Sequence, residues 1–111
     1  VRLPYAEQAV VYPNKVSDYL LSLTHPEGRA KARFFLDYGF RENNPSELVL
    51  ALLDRALKNE ASLSKENKFS RIYLVEGPVW SPDGRNPRLR TIWIIETEST
   101  LPRLITAYPT P

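Results

Sequence analysis

The sequence contains no cysteine, no methionine and a single histidine among its 111 residues. The missing cysteines exclude a disulfide scaffold, a thiol nucleophile and thiolate metal sites. With only His25 to add, no convincing zinc donor set remains, and neither a metal nor any other cofactor is expected. Glycine is sparse, with four scattered residues, so there is no Gly-rich phosphate loop. No nucleophile elbow is present, and a Ser-His-Asp arrangement would have to use His25 with a serine that lacks any supporting motif. No apolar run approaches the ~20 residues needed to span a bilayer. No signal-peptide pattern opens the sequence as it stands, so a cytoplasmic location and no membrane partner are expected. Beginning at Val1 without a methionine, the chain reads as a trimmed protein or as the C-terminal piece of a longer one.

What is present is the composition of an ordinary globular domain, 42% hydrophobic and 25% charged. One domain is expected over residues 1–111, with a helical half at about 1–60 and a sheet half at about 68–111. A net charge of +2 does not argue for nucleic acid. Its distribution says more: residues 42–67 carry five acids against three bases, and residues 85–90 carry three arginines and no acid. A second basic cluster surrounds Arg29. The clusters around Arg29 and Arg88 form one anion-binding surface if the fold joins them, and two solvated patches if it does not.

Periodicity predicts three helices. Residues 14–23 place Val16, Tyr19, Leu20 and Leu23 at i, i+3, i+4, i+7 spacing. A second helix runs over 26–38, with His25 as cap, Pro26 at the first helical position and Gly39 as its stop. A third spans 45–58, opened by Asn44-Pro45-Ser46-Glu47 and burying Leu48, Leu52, Leu53, Ala56 and Leu57. Ala9 to Tyr12 is extended, and Asn59 to Asn67 reads as a polar connection. Residues 69–76, 88–96 and 103–108 are rich in Ile, Val, Tyr, Trp and Thr and read as strands, with Pro82-Asp83-Gly84 supplying turn chemistry. The short links favour antiparallel neighbours. The fold class is therefore α+β, N-terminal helices packed on a C-terminal three- to four-stranded antiparallel sheet. On the central strand, Leu89, Thr91, Trp93 and Ile95 share one side, and Arg88, Arg90, Ile92 and Ile94 the other.

The residues that carry chemistry are few. On the wheel of the second helix Lys31 falls among Phe34, Phe35 and Tyr38. Either its stem packs on the rings while its head reaches water, or its charge is held there for a purpose. Metal-free RNA cleavage needs an acid, a base and cations around the phosphorane. His25 titrates in the useful range. Lys31, Arg29, Arg88 and Arg90 can hold phosphate. Thr91, Thr106 and Tyr108 offer hydroxyls, and Trp93 or Tyr108 can stack on a base. Each also has an ordinary reading: threonine as a strand former, Trp93 as core, Tyr108 as terminal packing.

Three motifs add a resemblance: Leu3-Pro4, the segment from His25 to Arg33, and Arg90-Thr91-Ile92-Trp93. The chain resembles a family of short bacterial proteins and toxin C-termini that share these motifs, a likeness covering nearly its whole length. Its ending, Arg103 to Pro109, is similar to the last strand of many polymorphic-toxin ribonucleases of the barnase, EndoU, colicin-tRNase and RelE superfamily. The resemblance implies a metal-independent endoribonuclease toxin acting on RNA, with tRNA as one substrate to test, neutralised by an antitoxin or immunity protein. It also implies a cleft lined by His25 and Lys31 from the helices and Arg90, Thr91, Thr106 and Tyr108 from the sheet. Two departures stand out: His25 precedes a proline outside the regular helix, and the superfamily's acidic base has no counterpart. Glu27 reads equally as a first-turn residue complementing the helix dipole. The alternative, from another class, is a non-catalytic module or inactive partner that binds an acidic protein with the same surface.

Overall fold

The computed structural model describes residues 2–58 and 60–110. Helical segments fill the first half, and a four-stranded antiparallel sheet, its strands side by side in chain order, fills the second, an α+β arrangement. Helix α1 begins with proline over Pro13–Lys15 and widens into a π-helical turn over Val16–Leu20. That turn is closed by Leu21 N–H donating to the Val16 carbonyl at 2.8 Å. An i→i+5 turn advances the register by one residue relative to an α-helix. Leu21 therefore enters the core at 0% exposure, while Leu23, which the 3.6-residue spacing places there, is 40% exposed.

The chain returns through His25 to Gly28, a helical turn that the sequence assigns to the second helix itself. His25 caps it with its ring: Nδ1 accepts from the backbone N–H of Glu27 and of Gly28, each at 3.1 Å. Regular helix α2 then runs over Arg29–Asp37. Gly28 is where the two helices touch, since a Cβ there would lie 2.2 Å from the Tyr19 carbonyl oxygen. The far end is a Schellman stop: Gly39, at φ +97°, donates to Leu36, and Phe40 to Phe35, at 3.0 and 3.2 Å. The accompanying apolar contact is Phe40 on Phe35, with ring centroids 6.0 Å apart. Helix α3, Pro45–Lys58, lies where the sequence places it and buries Leu48, Ala51, Leu52 and Ala56. Leu53 is partly buried against the same core, and Leu57 turns outward, 44% exposed, because the fully buried stripe runs through Ala51.

Strands β2 (Ser70–Pro78), β3 (Arg88–Glu96) and β4 (Arg103–Pro109) correspond to the three strands read from composition. Strand β1, Ala61–Glu66, occupies what reads as a polar connection. It is exposed from Ser62 onward, so no alternation of burial marks it; its strand character comes from pairing with β2. Asn59 lies outside the described residues. The extended segment before α1 contributes one parallel bridge, Val10 with Arg103.

One sheet face, with Tyr73, Val75, Leu89, Trp93, Ile95, Leu104 and Ala107, joins Leu20, Phe35, Leu48 and Leu52 in a single core. The loop between β2 and β3 is tied to the end of α2. Arg85 stacks on Tyr38, with Cζ 4.2 Å from the ring centroid, pairs with Asp83, and donates to the Asp37 carbonyl at 2.7 Å. The Asp83 hydrogen bond is the largest influence raising the Arg85 pKa. Arg85, one of the three arginines in the 85–90 run, is thus committed to holding the two halves together.

Candidate active site

Tyr19 is the meeting point of the helices and the sheet. The π-helical turn carries its phenol to Lys31, whose Nζ donates to the Tyr19 hydroxyl at 2.8 Å. Thr106 on β4 approaches the same hydroxyl, close enough to stabilise its ionised form, although Thr106 Oγ1 makes no hydrogen bond of full geometry and is buried. The His25 ring packs edge-on against Tyr19 with centroids 5.0 Å apart, and Lys15 Nζ lies 5.5 Å from the Tyr19 ring centre. Burial by itself would raise the Tyr19 pKa. The hydrogen bond from Lys31, the approach of Thr106 Oγ1 and the Lys31 charge outweigh it, against a small opposing effect of Glu27, and hold the phenol below its ordinary 10.0. On its open side, Tyr19 borders a depression of about 300 Å³ together with Tyr12, Asn14, Lys15, Asp18 and His25.

Strand register brings the next charges alongside. Thr106 pairs with Ile92, and Tyr108 with Arg90, whose other neighbour is Glu76. Arg90 and Thr106 are thus diagonal neighbours on one sheet face, ~7–8 Å apart by strand geometry. Arg90 Nε donates to Glu76 Oε1 at 3.0 Å, and its Cζ lies 5.8 Å from the centre of the Tyr108 ring. Tyr108 first, and then Glu76, keep the guanidinium more basic than an ordinary arginine. Lys31, from the first basic cluster, and Arg90, from the second, therefore flank Thr106. Arg29 is exposed at the start of α2, and Arg88 is exposed at the start of β3, two residues from Arg90 on the same face.

Thr91 and Trp93 do not join this group. Both are 0% exposed, on the core face of β3 opposite Arg90. Thr91 Oγ1 donates to the Val75 carbonyl and accepts from Trp93 Nε1, each at 2.8 Å, so both polar groups are satisfied internally. The reason is strand parity: adjacent residues point to opposite faces, so Arg90 and Thr91 cannot line one cleft. His25 is near the group, but Nδ1 is occupied by its two cap bonds, which leaves only Nε2 to meet a ligand. Two residues of the group escape the sequence reading. Tyr19 looks like one member of an apolar stripe, and only its position six residues before His25 hints otherwise. Glu76 is a lone carboxylate on a strand until register places it beside Arg90.

The described residues hold no group of three or more His, Cys, Asp or Glu that could bind a metal ion, and no helix among them is long and apolar enough to cross a membrane. Fold and site together define an α+β domain with a lysine–tyrosine–threonine cluster built across the junction of helices and sheet. Residues 2–111 match a family described as a domain of unknown function, DUF6883, and the chain belongs to that family. No curated protein and no solved structure matches the chain.

Proposed function

We propose that the protein is a metal-independent endoribonuclease of toxin type, which cleaves RNA and is neutralised by a cognate antitoxin or immunity protein. The observation that carries this reading is the convergence of Lys31 and Thr106 on the Tyr19 hydroxyl, with Arg90 and Glu76 alongside on the sheet. Two cations flanking a hydroxyl suit a phosphodiester, whose charge grows as the phosphorane forms. Lys31 and Arg90 would hold the non-bridging oxygens, and Thr106 would donate to one of them. Arg29 and Arg88 would steer the backbone. Glu76 is the carboxylate able to take the 2′-hydroxyl proton, and Tyr19, whose proton is loosened by Lys31, the group able to pass one to the leaving 5′-oxygen. The 2′-oxygen attacks phosphorus as the bond to the 5′-oxygen breaks, leaving a 2′,3′-cyclic phosphate and a 5′-hydroxyl. Such chemistry needs no cofactor, in keeping with a chain that has one histidine and no cysteine.

The test is incubation of the purified protein with end-labelled RNA in the presence of EDTA, beside the same RNA 2′-O-methylated throughout. Cleavage of the first, with cyclic phosphate ends, and none of the second is the expected result. Lys31→Ala and Thr106→Val should each lower the rate by ~10²-fold or more without unfolding the protein. A non-catalytic module is the second reading, favoured by the fact that Lys31 and Arg90 each already have a partner inside the protein. It requires that no RNA be cut at any pH and that the same substitutions change only affinity for an acidic partner. Inducible expression alone and beside the neighbouring gene tests the toxin and antitoxin parts.

A further inference from the structure

We propose that the groove between α3 and the β2–β3 loop is a docking site for a protein partner, taking an arginine or lysine carried beside an aliphatic residue. The groove holds about 500 Å³ and is lined by Glu47, Leu50, Ala51, Asp54 and Trp80. It shares no residue with the Tyr19 cluster, so a partner seated there leaves that cluster open. Leu50 is 66% and Trp80 55% exposed, two large apolar side chains brought together from different elements. Trp80 is not loose. Its neighbours Val79 and Ser81 are buried, Val79 N–H donates to the Pro87 carbonyl, and Ser81 N–H donates to Asn86 Oδ1, both at 2.9 Å. A stiff loop thus holds an indole in water, a preorganised arrangement typical of interface anchors.

The charges beside it choose the occupant. Glu47 and Asp54 stand seven residues apart on the same side of α3 and border the apolar floor. Glu47 is partly buried, and its Oε1, shielded from water, has no hydrogen-bond partner within the protein, so its charge is poorly compensated there. Asp54 forms an exposed pair with Lys58, 3.0 Å away, of the kind that yields readily to a better partner. A first-turn position accounts for a charge at Glu47 but not for the exposed leucine and indole next to it. Two carboxylates repel the phosphates of a nucleic acid. An aromatic side chain that shares a groove with two carboxylates attracts a guanidinium or ammonium, whose aliphatic neighbour would cover Leu50.

The experiment uses two end-capped helical peptides, one of leucine, alanine and arginine, the other with glutamate at every arginine position. Trp93 is fully buried, so a change in emission on titration reports on Trp80. The arginine peptide should bind saturably and shift the emission to the blue, and the glutamate peptide should do neither. The E47Q/D54N protein should bind about tenfold more weakly, a loss of one charge-assisted contact. Trp80→Ala, followed by calorimetry, should lose most of the affinity. No saturable binding of the arginine peptide, equal binding of both peptides, or undiminished binding by either variant would overturn the proposal. Because Trp80→Ala alters an exposed loop side chain and E47Q/D54N alters α3, one variant remains informative if the other misfolds.

Discussion

Replacing Gly28 by alanine tests the contact on which the site is built, and the sign of the effect is diagnostic. Gly28 has φ −90° and ψ −15°, a right-handed conformation that alanine adopts freely. On backbone grounds alone the substitution would stabilise the protein by ~0.4–1 kcal/mol, through the lower entropy of the unfolded chain. The structure requires the reverse. The new Cβ would sit 2.2 Å from the Tyr19 carbonyl oxygen and 3.1 Å from Tyr19 Cδ1, and the nearer obstacle is backbone, not a side chain free to swing away. Relieving such an overlap costs ~1–3 kcal/mol. A 111-residue chain unfolds with an entropy of roughly 0.23 kcal/mol/K. Set against the backbone gain, the overlap leaves a net loss of up to about 2.6 kcal/mol, and Tm should fall by up to about 11 °C in circular dichroism melts. Since the residue pushed is Tyr19, its hydroxyl should also move off Lys31, and the phenol should titrate closer to its ordinary value. A Gly28→Ala protein that melts at or above the parent would refute the packing of α2 on the α1 turn, and with it the placement of Tyr19.

Further outcomes follow from single contacts. In a spectrophotometric titration of the tyrosines, the difference between parent and Tyr19→Phe should isolate a phenol ionising below 10.0, and Lys31→Met should move it upward. Because its folded pKa is depressed, the stability this group contributes is full above 10.0 and is lost as pH falls through the folded value; urea midpoints at successive alkaline pH values check the sign. Thr91→Val should destabilise by ~1–3 kcal/mol, since Trp93 Nε1 loses its acceptor in the core, while Thr91→Ser should restore most of it. The Asp83 carboxyl feels burial, which raises its pKa, but the Arg85 and Ser81 hydrogen bonds prevail and hold it below 3.8. Its contribution is present above 3.8 and is lost as pH falls through the folded value, so Asp83→Asn should flatten the acid side of the Tm profile.

Much of the fold is legible without coordinates because it rests on local rules. Helix α3 lies where Asn44-Pro45 opens it, α2 stops at Gly39, and three strands coincide with β-branched and aromatic runs. Where the reading fails, a nonlocal force has intervened. Strand β1 is polar and exposed, and only its hydrogen bonds to β2 make it a strand. The π-helical turn exchanges Leu23 for Leu21 because the second choice fits the core. Strand parity was available from the outset and separates Thr91 and Trp93 from Arg90; the motif that joins all three obscures it.

By itself, then, the sequence determined the α+β order, the cap at His25 and the stop at Gly39, since each depends on neighbours within a turn or two. Only the tertiary structure decided that Lys31 meets Tyr19, that Thr106 reaches the same hydroxyl, and that Glu76 stands beside Arg90. Those partners lie 12, 87 and 14 residues apart in the chain. Their approach is set by the packing of α2 on the Tyr19 carbonyl and by strand register, neither of which leaves a periodic mark in the sequence.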